Sequence, residues 1–226
     1  MSAKTIFISA IDTDAGKTIV TGLLALSLKN RGFSVITQKI AQTGCNDISE
    51  DILKHREIMS EELNEFDKNG LTCPYIFKFP ASPHLSAKLE NTEINTKKIF
   101  LATYELEKHF DFVLLEGVGG LMVPLNTNEL LIDYISNKQY PLILVTSGKL
   151  GSINHTLLNL EAIKCRNIEL NALVYNNYIS SDSIINSDSK EYLKNYLIKY
   201  SPQTQFIEIE KINKLSSCTV FNSFKI

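Results

Sequence analysis

The first residues able to do chemistry lie between Ala10 and Thr18, which read Ala-Ile-Asp-Thr-Asp-Ala-Gly-Lys-Thr. Gly16-Lys17-Thr18 is the end of a phosphate-binding loop. In such a loop, backbone N–H groups (here Thr13, Asp14, Ala15, Gly16 through Ile19) face the phosphates. The lysine reaches the terminal phosphates, and the hydroxyl ligates Mg²⁺. A helix opening at Gly16 adds a dipole that favours an anion. Ile11 stands where the usual G-x-x-x-x-G-K-[ST] pattern has its first glycine. A Gly-Lys-Thr triplet also arises by chance, as an ordinary strand-to-helix turn with a solvated lysine. The strand–loop–helix setting is what gives this one weight. Two carboxylates could complete a Mg²⁺ site with Thr18. Glu116 closes the apolar run Val113–Leu115, and Asp51 lies in a stretch of helical character. Mg²⁺ takes one or two carboxylates alongside phosphate oxygens and water. The plainer reading of each is a strand-end or helix carboxylate facing water.

These groups need a scaffold, and the chain alternates short apolar runs with longer amphipathic stretches. Strands are expected at Ile6–Ile8, Phe33–Thr37, Val113–Leu115, Pro141–Val145, Leu173–Tyr175 and Phe206–Ile209. Helices are expected from Gly16 to Leu28, Asp47 to Met59, Asn95 to His109, Glu129 to Ser136, Ser152 to about Cys165 and Ser189 to Tyr200. Asn95 and Ser152 are read as helix caps. Residues 60–79 give no clear pattern, with Cys73–Phe79 a strand or an extended loop. Apolar runs bounded by turns suit a parallel sheet covered on both faces. The expected fold is therefore a doubly wound α/β domain spanning residues 1–226, with a mostly parallel sheet and helices on both faces. In such sheets the ligand lies at the carboxyl ends of the strands. That points to Ala10–Thr18, Lys39–Gly44, Glu116–Gly120, Ser147–Asn154 and Asn176–Asn177.

Composition narrows the classes. The 226 residues can build a sizeable core. Lys+Arg is 23 and Asp+Glu 25, a net charge of −2. That gives no field to recruit nucleic acid or an anionic membrane. Neither a secretory leader nor an apolar run of membrane-spanning length is evident, so a cytoplasmic protein is expected. Cys45, Cys73, Cys165 and Cys218 are far apart and are expected to be reduced and structural.

Taken together, the segments resemble the dethiobiotin synthetases, phosphate-loop enzymes of biotin synthesis. Asp12–Thr18 is similar to their phosphate loop. Lys39-Ile40-Ala41-Gln42-Thr43-Gly44 is similar to their lysine-proline-x-x-serine-glycine segment. Ser82-Pro83-His84, Glu116–Gly120 and Lys149–His155 follow in the family's order, and Asn176-Asn177 matches its base-reading position. The likeness runs from residue 4 to about 180. Ala10 replaces a usual glycine, Ile40 a proline and Thr43 a serine. Glu208-Ile209-Glu210 lacks the glycine and proline expected after the last strand, so no nucleotide contact is assigned there.

The resemblance implies a reaction. One amine of 7,8-diaminononanoate takes up CO₂ as a carbamate, and the carbamate oxygen attacks the γ-phosphate of ATP. The second amine closes on the mixed anhydride and expels phosphate, giving dethiobiotin. It also implies roles. Lys17 and Lys39 are catalytic. Thr13–Ile19, Asp51, Glu116, Gly117, Val118, Gly119, Asn176 and Asn177 bind ATP. Thr18, Asp51 and Glu116 hold Mg²⁺, and Lys39, Thr43, Gly151, Ser152 and Asn154 bind the substrate. Free N–H groups where a helix opens at Ser152 suit a carboxylate. A homodimer with shared sites is implied, in which one chain's Gly151, Ser152 and Asn154 face its partner's Lys39 and Thr43. His84 and His155 are read as structural or interfacial, not as bases. Two other readings compete: a carboxylate-activating amidation ligase, which would bring a glutamine-hydrolysing domain, and a partitioning-type ATPase switch, which would carry an extra lysine early in the loop.

Overall fold

The computed structural model of the protein describes residues 4–180, 182–210 and 220–225. The elements run β1 (Lys4–Ala10), α1 (Lys17–Asn30), β2 (Val35–Lys39), β3 (Gln42–Thr43), α2 (Glu50–Met59), α3 (Glu65–Lys68), β4 (Ile76–Phe77) and α4 (Pro83–Leu89). They continue with α5 (Thr96–Glu107), β5 (Phe112–Gly120), α6 (Leu131–Lys138), β6 (Leu142–Gly148), α7 (Ser152–Cys165), β7 (Leu170–Ser180), α8 (Ser183–Tyr200) and β8 (Gln205–Ile209).

Six strands form one sheet in the order β2-β5-β1-β6-β7-β8, and every pairing is parallel. β3 and β4 make a separate two-stranded parallel pair. β1 lies between β5 and β6, and the chain leaves it towards β2 but leaves β5 towards β6. That reversal opens a crevice at the carboxyl end of β1, where the phosphate loop begins. Right-handed crossovers in opposite directions place α1 on one face and α5 to α8 on the other. Ile6, Phe7, Ile8, Leu114, Leu115, Ile143 and Leu144 are fully buried, as strands covered on both faces must be.

Several expectations shift. β5 does not stop at Glu116: it runs on through Gly117-Val118-Gly119-Gly120, with Gly120 paired to Ala10 across a register shift. Ser152 does not cap α7. Gly151 is the cap residue, at φ 93°, and the Ser152 hydroxyl lies 3.1 Å from that of Ser147. α2 opens three residues later than read because Ser49 caps it, accepting from the Ile52 N–H at 3.3 Å. Asn95 caps α5 as expected, accepting from Lys97 N–H at 2.9 Å. α4 was not read at all, although it opens with Pro83 at its first turn. Residues 220–225 fold back onto α1: Phe221 and Phe224 are buried, and Arg31 donates to the Phe224 carbonyl at 3.0 Å. Cys45, Cys73 and Cys165 are free thiols, and Cys218 lies outside the described residues.

Candidate active site

A cleft of about 450 Å³ opens at the carboxyl edge of the sheet, lined from four separate parts of the chain. The phosphate loop and first turn of α1 contribute Thr13, Asp14, Gly16, Lys17, Thr18 and Ile19. The end of β2 and the segment after it contribute Lys39, Ala41, Gln42 and Thr43. Asp51 of α2 and Glu116, Val118 and Gly119 of β5 close it.

At its floor the charges interlock. Glu116 is fully buried. Its Oε1 accepts from Lys39 Nζ at 2.9 Å and lies 3.2 Å from the Thr18 hydroxyl oxygen. The same Thr18 hydroxyl donates to Asp51 Oδ1 at 2.9 Å. Lys39 Nζ also lies 2.5 Å from Asp51 Oδ2 and donates to the Gly117 carbonyl at 2.8 Å. Burial alone would raise the Glu116 carboxyl. The Lys39 charge and a hydrogen bond from His55 outweigh it and hold the group well below the usual carboxylate range. Burial would likewise lower Lys39, but the charges of Glu116 and Asp51 keep it above the usual lysine range. Lys17 has no such partner. Its Nζ donates to the Asp12 carbonyl at 3.0 Å, and burial, then repulsion from Lys39, push it down to about 8.

The donor set fits Mg²⁺. The Thr18 hydroxyl stands within hydrogen-bond length of an oxygen of each of two carboxylates, Asp51 and Glu116, so three hard oxygens gather around it. Among the described residues no group of three or more His, Cys, Asp and Glu side chains gathers to hold a metal unaided.

The loop is tuned by its neighbours. Gly16 has φ 95°, and a Cβ there would lie 2.2 Å from Asn176 Nδ2. Asn176 donates to the Ala15 carbonyl at 3.0 Å and accepts from Tyr178 N–H at 3.0 Å. An amide has two donors and two lone pairs, so these two bonds use one of each. Asn177 is turned instead to α8, where its carbonyl accepts from Asn186 at 3.0 Å. A Cβ at Gly117 would meet Leu131 and Phe7 at 2.9 and 3.0 Å, so Gly117 serves core packing, while Gly119 lines the cleft. Ile40, where the resemblance expected proline, donates its N–H to the Glu116 carbonyl at 2.9 Å, a bond that proline would lack.

The expected tail-binding residues are not in this cleft. Ser152 lines a smaller hollow of about 140 Å³ on the other side of the phosphate loop, with Asp12, Thr13, Ala15, Lys149, Leu150 and His155. Gly151 and Asn154 are exposed beside it. Three residues that the sequence reading did not single out support the floor. Gln42 accepts from the Ser49 hydroxyl at 2.7 Å, tying the segment after β2 to the cap of α2. Ile58 packs where Gly22 leaves room on α1. His55 bonds Glu116. The available signal was spacing: His55 lies one helical turn beyond Asp51.

Residues 4–222 match a family described as an AAA domain. The chain is 53% identical to the ATP-dependent dethiobiotin synthetase BioD 2 of Pasteurella multocida, over 93% of this chain and 99% of that one. It is 50% identical to the ATP-dependent dethiobiotin synthetase BioD of Chlorobaculum tepidum, over 88% and 84%. Among solved structures it resembles pNOB8 ParA bound to nonspecific DNA, with a TM-score of 0.52 and 13% identity over 97% of this chain and 91% of that one. At that identity the likeness is one of fold alone. No helix among the described residues is long and apolar enough to cross a membrane.

Proposed function

The chain belongs to the family of ATP-dependent dethiobiotin synthetases, and on that premise we propose how its cleft runs the reaction. The protein is an ATP-dependent ligase that forms dethiobiotin. In the reaction that the family likeness implies, 7,8-diaminononanoate, CO₂ and ATP give dethiobiotin, ADP and phosphate, and residues 1–226 act as one ligase domain in the cytoplasm.

One observation carries the assignment of parts: Lys39, Thr18, Asp51 and Glu116 meet at the floor of a cleft whose rim is the phosphate loop. Thr13 to Ile19 wrap the phosphates, and Gly119 and Val118 bound them from β5. Lys17 leaves the Asp12 carbonyl for the β- and γ-phosphates, whose charge restores its own. Thr18, Asp51 and Glu116 would hold Mg²⁺, which when bound neutralises the β- and γ-phosphate oxygens. Lys39 then has its ammonium free to face the substrate. It stabilises the carbamate oxygens and the phosphoryl group passing to them, two anions that would otherwise repel each other. Attack by the carbamate oxygen breaks the bond from the γ-phosphorus to the bridging oxygen and releases ADP. The second amine attacks the anhydride carbon, loses a proton and expels phosphate. Thr43, on β3 at the cleft wall, orients the amines. Asn176 reads the base with its remaining donor and acceptor.

The substrate tail is assigned to a second subunit. Gly151, Ser152 and Asn154 lie across the phosphate loop from their own cleft, so the partner's α7 is proposed to supply the carboxylate site. The assay that tests the function combines diaminononanoate, bicarbonate and MgATP, with dethiobiotin and phosphate measured together. Phosphate release that needs no diamine would favour an ATPase switch.

A further inference from the structure

Behind the cleft floor lies His55, on the α2 face that also carries Asp51 one turn earlier. The ring is wholly buried, and its Nε2 lies 2.8 Å from Glu116 Oε2. Its other nitrogen, Nδ1, is buried with no hydrogen-bond partner among the described residues. A proton on Nε2 satisfies this setting. That nitrogen then donates to the carboxylate, and Nδ1 is left as a bare acceptor instead of a buried N–H with nothing to meet.

This bond divides the work between the two carboxylate oxygens. Oε2 is taken by the ring at the back, while Oε1 faces Lys39 and Thr18 at the front. Rotation about the last bond of a glutamate is soft, so its oxygens exchange unless something holds them. Lys39 does not hold this register alone, because its ammonium is shared with Asp51 and with the Gly117 carbonyl.

We propose that His55 is a positioning residue that locks the rotation of Glu116 and so presents Oε1 to the Mg²⁺ shared with Thr18 and Asp51. The proposal rests on the reading of Glu116 as a metal-binding carboxylate. On it, α2 serves the metal twice, with Asp51 reaching it directly and His55 acting through the strand opposite. Hydrogen bonds to ligating groups commonly carry a 10–100-fold effect on metal affinity.

The test uses the full chain with ADP, Mn²⁺ as a paramagnetic stand-in for Mg²⁺, and electron paramagnetic resonance to count bound metal. His55→Leu keeps similar bulk without a donor, His55→Gln restores an N–H, and Glu116→Gln tests the premise. The expected result is a Mn²⁺ affinity in the nucleotide complex lowered ~10–100-fold by His55→Leu, unchanged metal-free ADP affinity, and substantial recovery in His55→Gln. The Mg²⁺ concentration for half-maximal turnover should rise in step. Native Mn²⁺ affinity in His55→Leu, with affinity lost in Glu116→Gln, would overturn the role of His55 and leave that of Glu116 standing. Native affinity in Glu116→Gln would overturn both. Equal loss of metal binding, metal-free nucleotide binding and thermal stability, with no recovery in His55→Gln, would make His55 a packing residue and overturn the proposal. Should His55→Leu not fold, His55→Met takes its place with the same outcomes.

Discussion

Lys39 is buried between two carboxylates and one backbone carbonyl, so the chain itself supplies a cation to its buried acids. Binding of Mg²⁺ to Asp51 and Glu116 would free that ammonium for the anions of the reaction. Lys39→Ala is therefore expected to lower kcat by ~10²–10³ while leaving ATP affinity close to native. Steady-state kinetics beside equilibrium nucleotide binding will check this, and near-native turnover would remove Lys39 from the mechanism. Lys17, Thr18 and Glu116 could be picked out in the sequence because type and place coincide: Lys17 and Thr18 open the helix that follows β1, and Glu116 is an acid directly after the apolar run of β5, where a phosphate-bound cation can be reached. His55 could not. A histidine in an amphipathic helix looks like core or surface, and its role is set by a partner 61 residues away. Lys39 was legible only through resemblance, because its carboxylate partner is 77 residues distant.

The elements matter here chiefly through α2, which carries Asp51 and His55 and must dock closely on α1. A Cβ on Gly22 would meet three atoms of Ile58 between 2.7 and 3.3 Å. Gly22→Val should cost ~1–3 kcal/mol of stability through overpacking. Pairing it with Ile58→Ala should recover part of that loss, whereas additive losses in a double-mutant cycle would deny the contact. The far end of α2 is held by charge. Arg56 donates to both oxygens of Asp67 at 2.8 and 2.9 Å, and Thr72 and the Asn64 N–H add bonds at 2.8 and 3.0 Å. Burial would raise Asp67, but Arg56 and the other donors hold it below the ordinary value. A depressed carboxyl stabilises the fold above its unfolded pKa, and that stability is lost as pH falls through the folded value, below about pH 4. Asp67→Asn should thus cost ~3–5 kcal/mol at neutral pH, leaving a buried guanidinium unpaired, with the gap to the native chain closing in acid. Chemical denaturation across pH will show it; a gap constant with pH would contradict the assignment. The main strands and helices were legible from apolar periodicity, which is strong where both faces are covered. α4 and β3 were not, and β4 fell within Cys73–Phe79, read only as a strand or an extended loop, because a seven-residue helix and a two-residue pairing repeat too briefly to show a period.

At the scale of the whole molecule, the cleft proposed for the phosphates and the reacting centre is not lined by Ser152, proposed for the substrate carboxylate, which lines a separate hollow across the phosphate loop. Next to that hollow the surface turns apolar. Leu150 is 80% exposed, Leu158 61% and Met122 53%, and Met122 and Leu158 share a concave patch with Ile11, His155 and Ala162. A closed two-fold pairing through this patch would bury it and bring one chain's α7 to its partner's cleft, making two equivalent sites. Leu158→Asp should then give a monomer by sedimentation that still binds ATP and no longer forms dethiobiotin. A fully active monomer would end the shared-site proposal. Complementation gives a sharper reading. A Cβ at Gly151 meets nothing within 4 Å among the described residues of its own chain, so bulk added there is offered to a neighbour, apart from the strain of its φ of 93°. Chains carrying Lys39→Ala and chains carrying Gly151→Trp should each form inactive dimers. Mixed dimers would hold one site with both defects and one with neither, so activity should return when the two are unfolded together and refolded as a mixture. Exchange verified by mass spectrometry without any recovery would place the tail site within a single chain.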